Sequence, residues 1–309
     1  MSSSKISVDA MNEAYKKTLA RVERIKSHLQ TSPRLGRLQG KVCIITGVDS
    51  LKGIGRASAL LFAHEGAKHL YLLDFSSKNL PELKQTIEEN YPDVKVTTVQ
   101  ADATDEQAIK GLCEKALKEE GKLDVFFANA GVVSIDHLDN LTCDMFMRTL
   151  RINALSAFIA IKYAAIAMAK PNASVGKSES EGSIILTASV AGLRSGSGPI
   201  DYSASKAAVN NMAQTAAFQL AKRNIRVNSI CPGLIETGMT EITFDAARRR
   251  GTAGKIGQLN PLGRYGVAEE IAQAALFLAS DESSYVNAQN FAVDGGLSGS
   301  VPTVPGKFH

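Results

Sequence analysis

The chain of 309 residues is 44% hydrophobic and 21% charged, with 25 Gly and 9 Pro, a composition that excludes disordered, collagen-like and fibrous proteins. No run of 18 apolar residues occurs, so no membrane-spanning helix is expected. The excess behind the net charge of +4 lies in residues 1–40, which hold eight of the 35 Lys/Arg and three of the 31 Asp/Glu; the remainder is near neutral, so the basic balance says little about nucleic acid, and no nucleic-acid partner is expected.

Residues 1–40 read as an extension carrying one amphipathic helix. Tyr15, Leu19, Val22, Ile25 and Leu29 recur at steps of four, three, three and four, and Pro33 stops the pattern. The stripe is expected to pack on the body or on a neighbouring subunit. Asp9, Glu13 and Glu23 speak against a targeting peptide, a class poor in acids. The helix carries none of the chemistry below, so its removal is expected to cost stability or assembly and to leave turnover intact.

From residue 41 onward, short apolar strands alternate with helices. Strands are expected over 41–46, 70–73, 94–99, 123–127, 184–186, 226–230 and 290–293. Helices are expected from about 57, then over 79–90, 105–119, 151–169, 202–222 and 268–279. This alternation predicts an α/β fold in which residues 41–309 form one doubly wound domain with a seven-stranded parallel sheet covered on both faces. Cys43, Cys113, Cys143 and Cys231 stand 70, 30 and 88 residues apart. That is neither metal-ligand nor disulfide-framework spacing, so no metal is expected and a reducing cytoplasm suits the chain.

Between the first strand and the first helix lies Thr46-Gly47-Val48-Asp49-Ser50-Leu51-Lys52-Gly53-Ile54-Gly55. Glycines there let backbone approach a pyrophosphate, and a helix N-terminus supplies N–H groups and partial positive charge. Asp74 ends the second strand about 20 residues further on, where a carboxylate accepts hydrogen bonds from an adenosine ribose and repels a 2′-phosphate. That favours NAD; Lys52 in the loop favours NADP, the alternative.

Tyr202-Ser-Ala-Ser-Lys206 places a phenol and an ammonium at i and i+4 on one helix face. The cation is expected to lower the phenol pKa and so let the phenol trade a proton with an alcohol or carbonyl oxygen. Tyr91-Pro-Asp-Val-Lys95 repeats the spacing, but Pro92 and the following strand keep it off a helix. Ser189, 13 residues before Tyr202, follows a strand and supplies a hydroxyl for the same oxygen.

With these motifs in order, residues 40–298 resemble the short-chain dehydrogenase/reductase family. The resemblance rests on the Thr46-Gly47…Gly53-Ile54-Gly55 loop, Asp102, Asn129-Ala130-Gly131, Asn153, and the Ser189, Tyr202, Lys206 set. It continues through Pro232-Gly233…Thr237, Pro261-Leu262-Gly263-Arg264 and Val293-Asp294-Gly295-Gly296. It implies a Rossmann-type fold and hydride transfer between a nicotinamide and a secondary alcohol or ketone. Tyr202 is then the general acid/base, Ser189 orients the substrate oxygen, Lys206 tunes Tyr202 and binds the nicotinamide ribose, and Asn153 holds a water leading to Lys206. Asp102 with Ala103 would face the adenine, Asn129–Gly131 the adenosine ribose, and Pro232, Gly233, Ile235 and Thr237 the nicotinamide end. A non-catalytic scaffold of the same fold is the alternative.

The chain departs from the family pattern in three places. Five residues rather than three separate Gly47 from Gly53, which leaves open which of Asp49, Ser50, Leu51 and Lys52 meets the cofactor, with Ser50 the expected contact. The N-terminal extension lies outside the pattern, and Ala288 stands where many members have glycine. The segment Gly238–Leu262 is expected to be a mobile lid that sets specificity, with Met239 and Phe244 forming an apolar pocket and Arg248–Arg250 a solvated face. The nearly all-apolar helices 151–169 and 202–222 predict a homodimer or homotetramer.

Overall fold

The apolar runs expected to be strands do pair in parallel. The computed structural model describes residues 8–301. Two helices open it, α1 (Val8–Lys26) and α2 (His28–Thr31); β1 (Val42–Thr46), α3 (Ile54–His64), β2 (His69–Asp74), α4 (Leu80–Asn90), β3 (Lys95–Gln100), α5 (Glu106–Glu120) and β4 (Val125–Ala128) follow. Next come α6 (Cys143–Leu150), a π-helical turn (Arg151–Leu155), α7 (Ser156–Met168), β5 (Gly182–Thr187) and α8 (Ile200–Gln219). The chain continues through β6 (Ile225–Pro232), β7 (Ile235–Glu236), α9 (Glu241–Arg249), β8 (Gly266–Val267), α10 (Ala268–Ala279) and β9 (Asn290–Val293).

The seven-stranded sheet has the order β3-β2-β1-β4-β5-β6-β9, all parallel. Side chains alternate faces along each strand, and both faces are covered. Cys43 and Ile45 join α3 and α10 in one core, whereas Val42 and Ile44 join α5, α7 and α8 in the other. The chain reverses its direction of growth between β1 and β4, so a crevice opens beyond the C-terminal ends of these strands.

The long apolar helix starts earlier than expected. It runs from Cys143 to Met168, 26 residues, and Thr142 caps it by accepting a hydrogen bond from the Met145 N–H at 3.2 Å. By length and composition alone it is apolar enough to cross a membrane. Its inner face, with Ala157, Ala160, Ala164 and Met168, is buried in the core instead. The N-terminal helix also differs from expectation: it breaks at Ser27, and Leu19 is 39% exposed. Ala288 has φ +59°, the left-handed region where glycine costs least, which accounts for the family's glycine there.

A polar cluster ties α5 to β2 and β3 at the other end of the sheet. The Glu120 carboxylate, nearly fully buried, accepts from Lys68 at 2.6 Å and from Lys95 and His69 Nδ1 at 3.0 Å. Burial drives the His69 pKa down, so a neutral ring donates from Nδ1 and accepts the Thr97 hydroxyl at Nε2, 2.9 Å away. Burial alone would raise the Glu120 pKa; the hydrogen bonds from Lys68, His69 and Lys95 outweigh it and hold the carboxyl at about 2. A depressed carboxyl contributes stability above its unfolded pKa and loses it as pH falls through the folded one. Glu120→Gln is therefore expected to lower Tm by about 5–10 °C at pH 7. The gap should close between about pH 4.5 and 2. Melting curves for both proteins across that range check this, and a gap that persists undiminished at pH 2 would refute it.

Candidate active site

The crevice at the strand ends is a cleft of about 230 Å³. Its floor begins with the glycine loop. Gly47 has φ +76°, and a Cβ there would stand 2.9 Å from the Ala130 Cα, so only glycine lets β1 and β4 end side by side. Gly53 opens α3 without a side-chain cap and lines the cleft with Ile54. The first-turn N–H groups of α3 are thus presented to an anion.

Of the inserted loop residues, only Ser50 lines the cleft. Asp49 turns away: its carboxylate accepts from the Asn79 N–H at 2.5 Å, and its own N–H donates to Asp74 at 2.9 Å. Leu51 is exposed, and Lys52 points at Glu241 of α9, 3.8 Å away. Asp74 stays at the cleft, with its second oxygen accepting from the Ser76 N–H at 3.0 Å.

The segment after β4 is locked to the loop through hydrogen bonds. Thr46 Oγ1 accepts from the N–H groups of Asn129 and Ala130, both at 3.1 Å, and Asn129 Nδ2 donates to the Thr46 and Gly47 carbonyls. Thr187 at the end of β5 donates to Asn129 Oδ1 at 2.9 Å. The Asn129 side chain is therefore a strut, and it lines the cleft with Ala130 and Gly131.

Ser189, Tyr202 and Lys206 meet in the same cleft. Tyr202 lies in the first turn of α8, and Lys206 follows one turn later with Nζ 5.7 Å from the phenol ring centre. Lys206 Nζ donates to the Thr187 carbonyl at 2.8 Å. Ser189 Oγ accepts from the Ala191 N–H at 3.1 Å, and its side chain lines the cleft together with Tyr202. A Cβ on Gly131 would lie 3.1 Å from Asn153 Oδ1 and 3.2 Å from Lys206 Nζ, so a side chain at 131 would crowd both groups. Pro232, Gly233, Ile235 and Thr237 complete the lining, joined by Met239 and Thr240.

The family model described as enoyl-(acyl carrier protein) reductase matches residues 47–298. The 3-oxoacyl-[acyl-carrier-protein] reductase of Thermotoga maritima is 41% identical over 261 residues, 84% of this chain and 99% of the relative. The L-rhamnose-1-dehydrogenase of Scheffersomyces stipitis is 37% identical over 85% of this chain and 97% of its own length. The crystal structure of levodione reductase superposes with a TM-score of 0.76 at 35% identity, covering 85% of this chain and all of that one. The chain belongs to the short-chain dehydrogenase/reductase family. It is an oxidoreductase that exchanges a hydride between a nicotinamide cofactor, NAD or NADP, and an alcohol or carbonyl group.

Several positions marked by the family motifs lie outside the cleft lining of this short-chain dehydrogenase/reductase. Gly55 lies beneath it, since a Cβ there would collide with the Gly47 carbonyl. Asp102 turns its carboxylate to the Thr104 N–H at 2.8 Å, and neither it nor Ala103 lines the cleft. Asn153, buried in the π-helical turn, holds the Val132 peptide at both ends, accepting its N–H at 2.8 Å and donating to its carbonyl at 2.9 Å. Phe244 corrects an expectation: it is buried away from the cleft beside Val22 and Tyr265. The basic run Arg248–Arg250 is exposed throughout, with Arg248 also paired to Glu236 and Asp245.

The electrostatics also differ from expectation. Burial pushes the Tyr202 phenol up, and the Ser189 hydroxyl only partly offsets it. Burial lowers Lys206 to about 8. Desolvation dominates at both groups, and the attraction that the i, i+4 spacing suggested does not offset it. The residue that sequence reasoning missed is Asp201. It is fully buried beside Tyr202 and accepts from Ser134 and Thr149, both at 2.6 Å, which fixes the start of α8 to α6 and to the segment after β4. An acid in the first turn of the tyrosine's helix was the available signal.

Proposed function

We propose that Tyr202 moves the proton and that the glycine loop, Asp74 and Lys206 hold the cofactor, here assigned as NAD. The observation that carries this reading is the convergence of Ser189, Tyr202 and Lys206 on the cleft where α3 begins without a side-chain cap. The residues present fit a dinucleotide. Gly47, Gly53, Gly131 and Gly233 add no side chain of their own to the lining, and the start of α3 suits a pyrophosphate. When bound, the nicotinamide gives or takes the hydride.

The protein's residues handle the proton. In carbonyl reduction the phenol, kept protonated by burial, donates to the oxygen; in alcohol oxidation the phenolate accepts. The Ser189 hydroxyl donates to the same oxygen and so orients it. The Lys206 ammonium stabilises the phenolate through space. Asn153, by fixing the Val132 peptide, keeps the wall beside Gly131 and Lys206 in place. All four residues are present, which favours an enzyme over a non-catalytic scaffold. Residues 41–309 are the catalytic unit in this reading, with 1–40 as an extension. The four free thiols support a cytoplasmic setting.

With Phe244 turned away, Met239 and Ile235 supply the apolar lining, which supports a carbonyl or secondary alcohol bearing an apolar substituent. A panel of a 3-oxoacyl thioester, a cyclic diketone, an aliphatic ketone and a sugar, each with NAD(H) and NADP(H), tests this. Turnover of the ketones with little on the sugar is expected. Neither turnover nor cofactor binding would return the protein to the scaffold reading.

Leu155, Phe158 and Ile166 leave an exposed apolar stripe on the outer side of the long helix, and Phe158 is 50% exposed. This supports a homodimer or homotetramer built on that stripe. Light scattering is expected to give two or four times the 32.9 kDa chain mass, and Phe158→Glu a smaller assembly. A wild-type monomer at micromolar concentration would overturn the assignment.

A further inference from the structure

The segment between β7 and β8 begins at the cleft and ends outside it. The two strands pair, Ile235 with Gly266 and Glu236 with Val267, so the residues between them form one excursion closed at its base. Its start, Thr237, Met239 and Thr240, lines the cleft. Its remainder leans on the N-terminal helix. Val22 of α1 is 1% exposed and shares a small core with Phe244, Tyr265 and Val267, flanked by Ile25, Leu234 and Ile256. Phe244 and Tyr265 meet edge to face at 4.9 Å. Further along α1, Tyr15 packs on Gly254, where a Cβ would be 3.4 Å from the Tyr15 Cβ.

This core is separate from the two that flank the main sheet. Take α1 away and Phe244, on the inner face of α9, loses Val22, its buried partner outside this excursion and β8. On its other side the same excursion touches the lengthened phosphate loop: a Cβ on Gly238 would lie 2.7 Å from Ser50 Oγ, and Lys52 reaches towards Glu241.

We propose that α1 is a strap that holds residues 238–256 over the substrate end of the cleft, with Val22 and Tyr15 as positioning residues for substrate binding. The idea that this excursion covers substrate rests on the function proposed above. The helix was expected to serve only stability or assembly; its contacts instead give it a hold on the substrate side of the site. Segments with few buried apolar contacts open at low cost, so losing the strap raises the open fraction of the lid without disturbing the sheet or the proton-transfer residues.

The test compares full-length wild type, Val22→Asp and Tyr15→Ala with Leu19→Asp, a control on the more exposed part of α1. Hydrogen exchange without ligands is expected to speed up at least about tenfold across 238–256 in the first two variants and to stay unchanged in β1, β4 and β5. Leu19→Asp should match wild type. NADH affinity, read by fluorescence, should hold within about threefold, while KM for the fastest carbonyl of the panel rises at least about tenfold with kcat nearly constant. Unchanged exchange at 238–256 in both variants overturns the strap. Faster exchange throughout the sheet overturns it as well, making α1 a general stabiliser. Local loosening with an unchanged KM overturns the positioning role. Local loosening in a protein that reduces no carbonyl leaves the strap standing and sinks the functional reading instead.

Discussion

Tyr202→Phe is expected to lower turnover at least about 100-fold while cofactor affinity stays close to wild type. General acid–base catalysis by a placed side chain contributes about 10²- to 10⁴-fold, and the variant removes the proton while keeping the ring. The ring keeps its packing in the first turn of α8, so the cleft is preserved. Ser189 can still hold a carbonyl oxygen, which is why a residual rate should remain. Tyr91→Phe is the control. Tyr91 caps the end of α4 with its hydroxyl 3.3 Å from His64, and Lys95 pairs with Glu120, so the second Tyr-x-x-x-Lys places nothing in the cleft. Steady-state kinetics and cofactor titration of both variants check this. Near-normal turnover in Tyr202→Phe would end the proposed mechanism.

Asp74→Ala is expected to narrow or reverse a wild-type preference for NAD(H). A carboxylate and a 2′-phosphate at the end of β2 face each other at short range. Unit like charges 4 Å apart repel by about 4 kcal/mol at an effective dielectric near 20. Solvent screening reduces that to about 1–3 kcal/mol, or roughly 5- to 150-fold in discrimination. The structure strengthens the expectation. Asp74 is fixed at the cleft by the Asp49 and Ser76 N–H groups, and Lys52, the residue that would offset it, is directed to Glu241. kcat/KM for both cofactors should favour NAD(H) in wild type and in Lys52→Ala. A wild-type preference for NADP(H) that Lys52→Ala abolishes would show the loop lysine in command.

The parallel sheet was readable because its strands are buried on both faces and so appear as unbroken apolar runs such as Val42–Ile45. The Tyr202–Lys206 pair was readable because helical spacing is a local property. What escaped was decided by contacts distant in sequence. Nothing near Phe244 says that it turns from the cleft to Val22, some 220 residues earlier. The same holds for Asp49, which spends its carboxylate on Asn79, and for Lys52, which meets Glu241. For the phenol, spacing reveals the neighbouring Lys206 charge but not the burial that pushes its pKa up. The early start of the long helix had a signal in Thr142, masked by the polar residues Asp144 and Arg148 in its first turns.

The central claim is that this cleft passes a hydride between a nicotinamide and a carbonyl carbon while Tyr202 supplies the proton. Reduced cofactor carrying deuterium at both C4 positions, incubated with wild type and the fastest carbonyl of the panel, tests it most directly by mass spectrometry of the alcohol. The account predicts one deuterium on the carbinol carbon in wild type, and in Tyr202→Phe the same label formed at least about 100-fold more slowly. Alcohol without deuterium at that carbon, or labelled alcohol formed equally fast by Tyr202→Phe, would contradict it.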